Sequence, residues 1–383
     1  MIFLLFFCCS LFARPLEVDV LARSAIVMNA DTGAILYEKH AHIPMYPASI
    51  TKIATALYVL EQKNPDLEQM ATVSAEALRM KPAKHKENIP AYWGEVGGSK
   101  MGLVKGEVLS LDALLYGLMR HSGNDAANVI AENLSSSIPD FVSEVNQYVC
   151  ELGCQNTHFC NPHGLHHDDH LSTAFDMCLI MKKALQIPKF REIVSSAYYQ
   201  KPKTNKQPAA EISQKNPLLQ SGKHYYSKVI GAKTGFHSKA KYTLAAAAEQ
   251  EGRTLIAVLF GCDKRTDRYE DAIRLFDIAF AEPLETTVFF DPSHLFSYPV
   301  EGAKAPLQAV LKGNLAISYY PSEEPVCRAF VLWEPLALPI HKGQKVGEVR
   351  ISDSSGIVLQ RGDLVAKEDV KPTFVHFLKN SFW

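Results

Sequence analysis

Three short motifs in the chain carry side chains suited to acyl-transfer chemistry. Ser49-Ile50-Thr51-Lys52 sets a hydroxyl and an amine three residues apart, which on a helix puts them one turn apart on one face. A serine hydroxyl is a weak nucleophile until a base takes its proton, and a lysine serves once burial and neighbouring positive charge lower its pKa. A helix start also favours negative charge developing on the serine oxygen. Ser49 is therefore the candidate nucleophile and Lys52 its base. The spacing alone says little: it recurs about once in a chain of this size at ordinary residue frequencies, and Ser238 with Lys241 repeats it here.

The second motif is Ser122-Gly123-Asn124, between two helical stretches. Its serine is suited to relaying a proton and its asparagine to holding a substrate amide, although a helix N-cap uses the same residues. The third is Lys233-Thr234-Gly235 in an extended segment. Lys supplies a point charge, Thr a hydroxyl donor, and Gly lets a ligand backbone come close to a sheet edge. Taken singly it reads as a turn. In this order, the trio S-x-x-K, S-x-N and K-T-G carries one mechanism, a serine nucleophile that is acylated and released.

The elements that must position these groups follow from the hydrophobic pattern. Ser24 to Tyr37 reads as two strands around an Asn29–Gly33 turn. Ile50, Ile53, Ala54, Leu57 and Leu60 define one helix face, begun by Pro47 and Ser49. Leu111 to Met119 is a helix apolar on most sides and hence central, and a third helix begins near Asp125. Val229 to Gly231, Tyr242 to Ala248 and Thr254 to Phe260 read as strands, followed by a helix from Asp271 to Phe280. Strands, then helices, then strands predict an α+β domain: an antiparallel sheet covered by helices, its first and last strands drawn from opposite ends of the chain. Past Glu282 the helical period fades, and runs such as Thr287 to Phe290, Ala329 to Trp333, Val346 to Ile351 and Ile357 to Leu359 predict a small all-β domain.

The residues around the motifs sharpen this. "YPASITKIATA", "GSKMGLVKGEVLSLDALLYGLMRHSGNDAANVIAE", "NTHFCNPHGL" and "GAKTGF" resemble the low-molecular-weight penicillin-binding proteins, and among them the serine D-alanyl-D-alanine carboxypeptidases of the DacA type, peptidase family S11. The likeness runs from about Ala22 to Phe280, and "PLALPIHKGQKVGEV" extends it into the β-rich region. It implies a β-lactamase/penicillin-binding transpeptidase-like domain. It implies that Ser49 is acylated with Lys52 as base, that Ser122 passes a proton to the leaving amine, and that Asn124 binds the substrate peptide. Lys233 and Thr234 would hold the terminal carboxylate, with Gly235 giving clearance and Arg268 as a second carboxylate partner. The backbone N–H groups of Ser49 and Phe236 would form the oxyanion hole. One departure is His237, where the family usually has Thr or Ser; it bears on preference among stem peptides and β-lactams, not on the chemistry.

The implied activity is removal of the terminal D-Ala from peptidoglycan stem peptides ending in D-Ala-D-Ala, with β-lactams as inhibitors. A class A-like β-lactamase is the first rival, but its deacylating Glu lies roughly 35 residues past the second motif, and Thr157 to His163 contains none. A transpeptidase, or a non-catalytic peptidoglycan-binding relative, shares the fold.

Composition is ordinary: 383 residues, 47% hydrophobic, with a formal charge of -1. Nothing in it calls for nucleic acid, and no cofactor motif is present. The apolar run Ile2 to Phe12 is too short to span a bilayer and suits the core of a secretory leader, residues 1–14; a buried N-terminal strand is the other reading. The expected divisions are then 20–283 for the acyl-transfer domain, 284–370 for the β domain, and 371–383 for an amphipathic helix. Phe374, Phe377, Leu378 and Phe382 share a face of that helix, suited to lying in a membrane surface. A helix docked on its own domain is the other reading; the resemblance implies the anchor, and with it the periplasmic face of a bacterial inner membrane, peripherally held. His166-His167-Asp168-Asp169-His170 carries metal-ligand types, but five adjacent loop residues do not converge on one ion, and no metal is expected. The resemblance places the segment in a surface turn; His158 and His163 read as loop-packing residues, and Asp176 as a helix brace. Most cysteines read as small buried apolar residues, with Cys150 and Cys154 on one face if their segment stays helical.

Overall fold

The computed structural model describes residues 2–3, 13–82, 89–214 and 216–374. The chain divides into two compact units, residues 16–281 and residues 282–383, the latter joined by 1–15.

The first unit is built on a five-stranded sheet. Its strands are β1 (Ser24–Asn29), β2 (Ile35–Lys39), β3 (Val229–His237), β4 (Lys241–Gln250) and β5 (Arg253–Cys262), in the order β2-β1-β5-β4-β3. Every pairing is antiparallel, and the N-terminal β1 lies against β5. Side chains alternate between faces along a strand, and here both faces are covered. Ala245, Ala247, Ile256 and Val258 join the core beneath helices α1 (Lys52–Tyr58), α2 (Leu111–Arg120), α3 (Asn124–Leu134), α4 (Ile138–Glu151), α5 (Ala174–Ala184) and α6 (Pro188–Ser195). Leu244, Ala246, Leu255 and Ala257 face α7 (Asp267–Phe280) through Leu275 and Phe276. With both faces buried, β5 has no exposed residue.

Local chemistry sets the helix ends. Ser110, Ser137 and Thr173 each accept the N3 amide of the helix that follows, satisfying a donor the helix leaves unpaired. Asp176 braces α5 to the preceding loop, accepting from the Asn156 amide at 2.9 Å and the Thr157 hydroxyl at 2.7 Å. Helix α4 stops at Glu151, so Cys150 and Cys154 do not share a helix face. The six described cysteines are free thiols; Cys154, Cys178, Cys262 and Cys327 are buried, Cys160 is half-buried and Cys150 exposed.

The second unit is all β. Strands β6 (Glu285–Phe290) and β9 (Leu315–Tyr319) pair with each other. Strands β7 (Phe296–Tyr298), β8 (Leu307–Leu311), β10 (Arg328–Trp333), β11 (Lys345–Ser352) and β12 (Val358–Ala366) form a sheet in the order β10-β11-β12-β8-β7, with Ile2–Phe3 added beside β10. Leu307, Leu311, Val346, Ile351 and Leu364 fill its core. Strand β12 runs well beyond the short Ile357–Leu359 signal. Of the segment 371–383, residues 375–383 lie outside the described residues, as do residues 1 and 4–12 of the expected leader.

Candidate active site

The chain reaches Ser49 through a tight turn. Ser49 sits in a single 3-10 turn, Ala48–Thr51, that leads directly into α1. Ala48 adopts φ 51°, a left-handed conformation that a non-glycine residue holds only when its surroundings enforce it. They do so on three sides. The Thr51 hydroxyl donates to the Ala48 carbonyl at 2.8 Å and meets Nε2 of His170 at 2.9 Å. The Thr243 hydroxyl donates to the Pro47 carbonyl at 2.9 Å. Gly164, at φ 89°, passes so close that a β-carbon would stand 1.9 Å from the Ala48 oxygen.

Lys52 lies wholly buried beneath Ser49. Its ammonium donates to Ser49 Oγ at 3.2 Å, to Asn124 Oδ1 at 2.7 Å and to the His163 carbonyl at 2.6 Å. Burial, then the charge of Lys233, holds its pKa well below the ordinary value, with Asp125 opposing. A shift in this direction favours the neutral amine, whose lone pair a general base requires. With two N–H bonds aimed at Asn124 and His163, the lone pair is left facing Ser49.

Across the cleft, Lys233 Nζ donates to Ser122 Oγ at 3.0 Å and to the Thr234 carbonyl at 2.8 Å. Burial and the Arg268 charge lower its pKa to about 7. Ser122, at φ 57°, bridges α2 and α3 in another left-handed position. Its motif partner Asn124 is the first residue of α3, so Ser122-Gly123-Asn124 presents one side chain to each lysine. Ser49, Ser122, Asn124, Lys233, Thr234 and Phe236 together line a cleft of about 340 Å3.

Gly235 is needed for a reason other than room for a ligand. A β-carbon there would meet Thr243 Oγ1 at 2.3 Å, the Ser49 amide nitrogen at 2.9 Å and the Pro47 oxygen at 3.0 Å. The missing side chain lets strand β3 press against the nucleophile turn. Arg268 also lines the cleft. Its Nη1 donates to the backbone carbonyls of Gly235 at 2.8 Å and Thr243 at 3.0 Å, and Nη2 donates to the Tyr269 hydroxyl at 2.7 Å. The guanidinium lies between the Tyr242 and Tyr269 rings. Phe236 stacks on Tyr242 at 4.4 Å and remains half exposed at the cleft edge.

Other contributors were not read from sequence as parts of the site. Asp125 accepts from the amides of Met101 and Gly102 at 2.8 Å and of Leu103 at 3.0 Å, tying the cleft wall to α3. His163 packs as expected of a loop residue, its Nε2 on the Tyr92 carbonyl at 2.9 Å, yet its own carbonyl is a partner of Lys52. His170 belongs to no surface turn: it is buried, with Nδ1 accepting from the Cys160 amide at 3.0 Å. Among the described residues no three His, Cys, Asp or Glu side chains converge where a metal ion would sit. His237 is not among the residues lining the cleft; its Nδ1 accepts from the Ala240 amide at 3.1 Å and its ring lies 5.4 Å from that of His166.

The fold is that of the penicillin-binding DD-peptidases. The structure of penicillin binding protein 5 from Haemophilus influenzae superposes with a TM-score of 0.63 at 26% identity, covering 94% of this chain and all of that one. The chain belongs to the peptidase S11 family, D-alanyl-D-alanine carboxypeptidase, whose model matches residues 12–264. It is similar to the D-alanyl-D-alanine carboxypeptidase DacF of Bacillus subtilis, with 29% identity over 96% of this chain and 91% of that protein. It is likewise similar to DacC of Escherichia coli, with 30% identity over 96% and 90%. The protein is a serine-type D-Ala-D-Ala carboxypeptidase.

Proposed function

We propose that Ser49 is the nucleophile of this carboxypeptidase and Lys52 the base that takes its proton. The observation that carries the reading is the 3.2 Å approach of Lys52 Nζ to Ser49 Oγ, with the amine's other two donors occupied. The substrate is a peptidoglycan stem peptide ending in D-Ala-D-Ala. Ser49 Oγ attacks the carbonyl carbon of the penultimate D-Ala, its proton passes to Lys52, and the oxyanion takes N–H bonds from Ser49 and Phe236. Asn124 orients the peptide, and Lys233 with Thr234 receives the terminal carboxylate. Ser122, joined to Lys233, delivers the proton to the departing amine, and D-Ala leaves. Water then cleaves the ester, returning Ser49. Gly235 and Arg268 serve the carboxylate side by shaping strand β3, Arg268 through the Gly235 and Thr243 carbonyls. β-Lactams acylate the same serine.

Residues 1–14 act as an export leader and 371–383 as a helix lying in the membrane surface, at the periplasmic face of a bacterial inner membrane. The apolar run before Ala13 and the shared face of Phe374, Phe377 and Phe382 support this. No helix among the described residues is long and apolar enough to cross a membrane, and an in-plane helix needs no such length.

The test is incubation with a D-Ala-D-Ala pentapeptide, with and without an amine acceptor, products being identified by mass. Release of D-Ala, lost in Ser49→Ala and unaffected by the acceptor, is expected. Wild-type release by Ser49→Ala would overturn the assignment, and a dominant amide product would make the enzyme a transpeptidase.

A further inference from the structure

The β unit contains an apolar cavity of about 290 Å3 that the acyl-transfer site does not use. Its walls come from strands at opposite ends of the sheet order: Phe296 of β7 on one side, and Ala329, Val331 and Trp333 of β10 on the other. These three β10 residues alternate along the strand and so share a face. The Tyr298 and Trp333 rings meet at 4.9 Å across the gap, and Leu295 stands half exposed at the rim. No Asp, Glu, Lys or Arg lines the cavity.

Beside this cavity, β10 presents its outer edge to a strand that is already in place. Ile2 pairs with Leu332 and Phe3 with Val331, antiparallel. That strand belongs to the segment read above as a leader, so export would remove it. The edge then left open has unpaired backbone groups next to an apolar slot, the arrangement that recruits a strand from another chain. In an antiparallel register, a residue opposite Val331 shares its face, which is the face of the cavity.

We infer that the exported protein binds an extended apolar segment of another polypeptide along β10, antiparallel, with alternate side chains in this cavity. The inference rests on removal of the leader and is independent of the chemistry at Ser49. The backbone of the guest supplies the hydrogen bonds, and the cavity selects apolar residues at every second position.

The test uses the chain from Pro15 onward and a fluorescent peptide carrying IFLLF, the sequence of residues 2–6, between lysine pairs. Two further peptides carry N-methyl groups on alternate amides, one on the odd and one on the even positions. Saturable binding is expected, weakened by about tenfold or more by one methylated series and retained by the other. Leu295→Glu at the exposed rim should weaken binding comparably while leaving thermal unfolding and labelling by penicillin unchanged. Equal binding of both methylated series would mean a plain apolar pocket, as for an acyl chain, and would overturn the inference. So would absence of binding to the wild-type chain. N-terminal sequencing of the exported protein reports separately on the leader, and penicillin labelling on the acyl-transfer reading.

Discussion

The amide nitrogen of Ser49 lies 2.9 Å from where a β-carbon would stand on Gly235. The nucleophile turn and the strand bearing the carboxylate-binding residues are thus in backbone contact, with no side chain between them. Gly235→Ala should force them apart and lower labelling of Ser49 by penicillin by about 100-fold. Adding Thr243→Ala removes the closest obstruction but leaves Ser49 N and Pro47 O in the way. Labelling rates should therefore recover little; full recovery in the double variant would show that the turn is not the constraint.

In the proposed mechanism Lys52 acts as a base only when neutral, and its lowered pKa favours that form. Asn124→Asp places a negative charge where Asn124 Oδ1 now lies, 2.7 Å from Nζ, and favours the ammonium. The acid limb of the acylation profile should move to higher pH by about one unit or more. Lys52→Met should abolish acylation at every pH. An unmoved limb in the Asp variant would assign the titration to another group.

In the proposed mechanism Lys233 has the opposite requirement, since it would hold a carboxylate only while charged. With its pKa lowered to about 7, the charged form is present below that pH and lost above it. kcat/KM for a D-Ala-D-Ala peptide should accordingly fall as pH rises through about 7. Lys233→Arg stays charged, so its profile should lack this limb, at a lower plateau because Arg cannot reproduce the point contact with Ser122. An unchanged alkaline limb in that variant would remove Lys233 from the titration.

Gly164 and Gly97 separate crowding from backbone preference. Both have positive φ, 89° and 81°, but a β-carbon on Gly97 meets nothing within 4 Å. Gly97→Ala should cost about 1 kcal/mol from conformation alone. Gly164→Ala should cost about 3 kcal/mol or more, the range of substitutions that force backbone apart, and should slow acylation as the His163 carbonyl shifts from Lys52. Equal thermal unfolding of the two variants would contradict this.

For Arg268, two readings make different demands. Substrate binding through the carboxylate predicts that Arg268→Met raises KM with little change in thermal stability. The hydrogen bonds to Gly235 and Thr243 predict a loss of about 2 kcal/mol as well, because buried carbonyls lose charged donors. We expect both effects, and stability equal to wild type would leave only the direct role.

What the sequence revealed of this site was its side-chain chemistry. Ser49, Lys52, Ser122, Asn124 and Lys233 were legible because hydroxyl, amine and amide types recur at motif spacing, and the continuous apolar runs of β4 and β5 announced strands. The order of strands and helices also foretold a sheet drawing strands from both ends of the chain, though not that β1 would pair with β5. Apart from the amides of Ser49 and Phe236 that the resemblance implied, the parts played by backbone atoms were not legible. The His163 carbonyl, the left-handed Ala48 and the contact between Gly235 and Ser49 depend on distant segments meeting, and no residue type marks a carbonyl as a partner. Asp125 was read as a helix start because its three amide partners lie more than twenty residues upstream. His170 was taken for surface because the resemblance puts a surface turn there, whereas Thr51 and the Cys160 amide draw it inside.

The two lysines are supplied by residues 52 and 233, and their partners by the loops at 122–124 and 163–164. No contiguous fragment contains the whole arrangement, and a partly folded chain would present Ser49 as an ordinary, unreactive hydroxyl. Covalent capture by a labelled β-lactam therefore counts only molecules whose distant segments have all docked. In a refolding or export assay, the labelled fraction would serve as a census of completed tertiary structure.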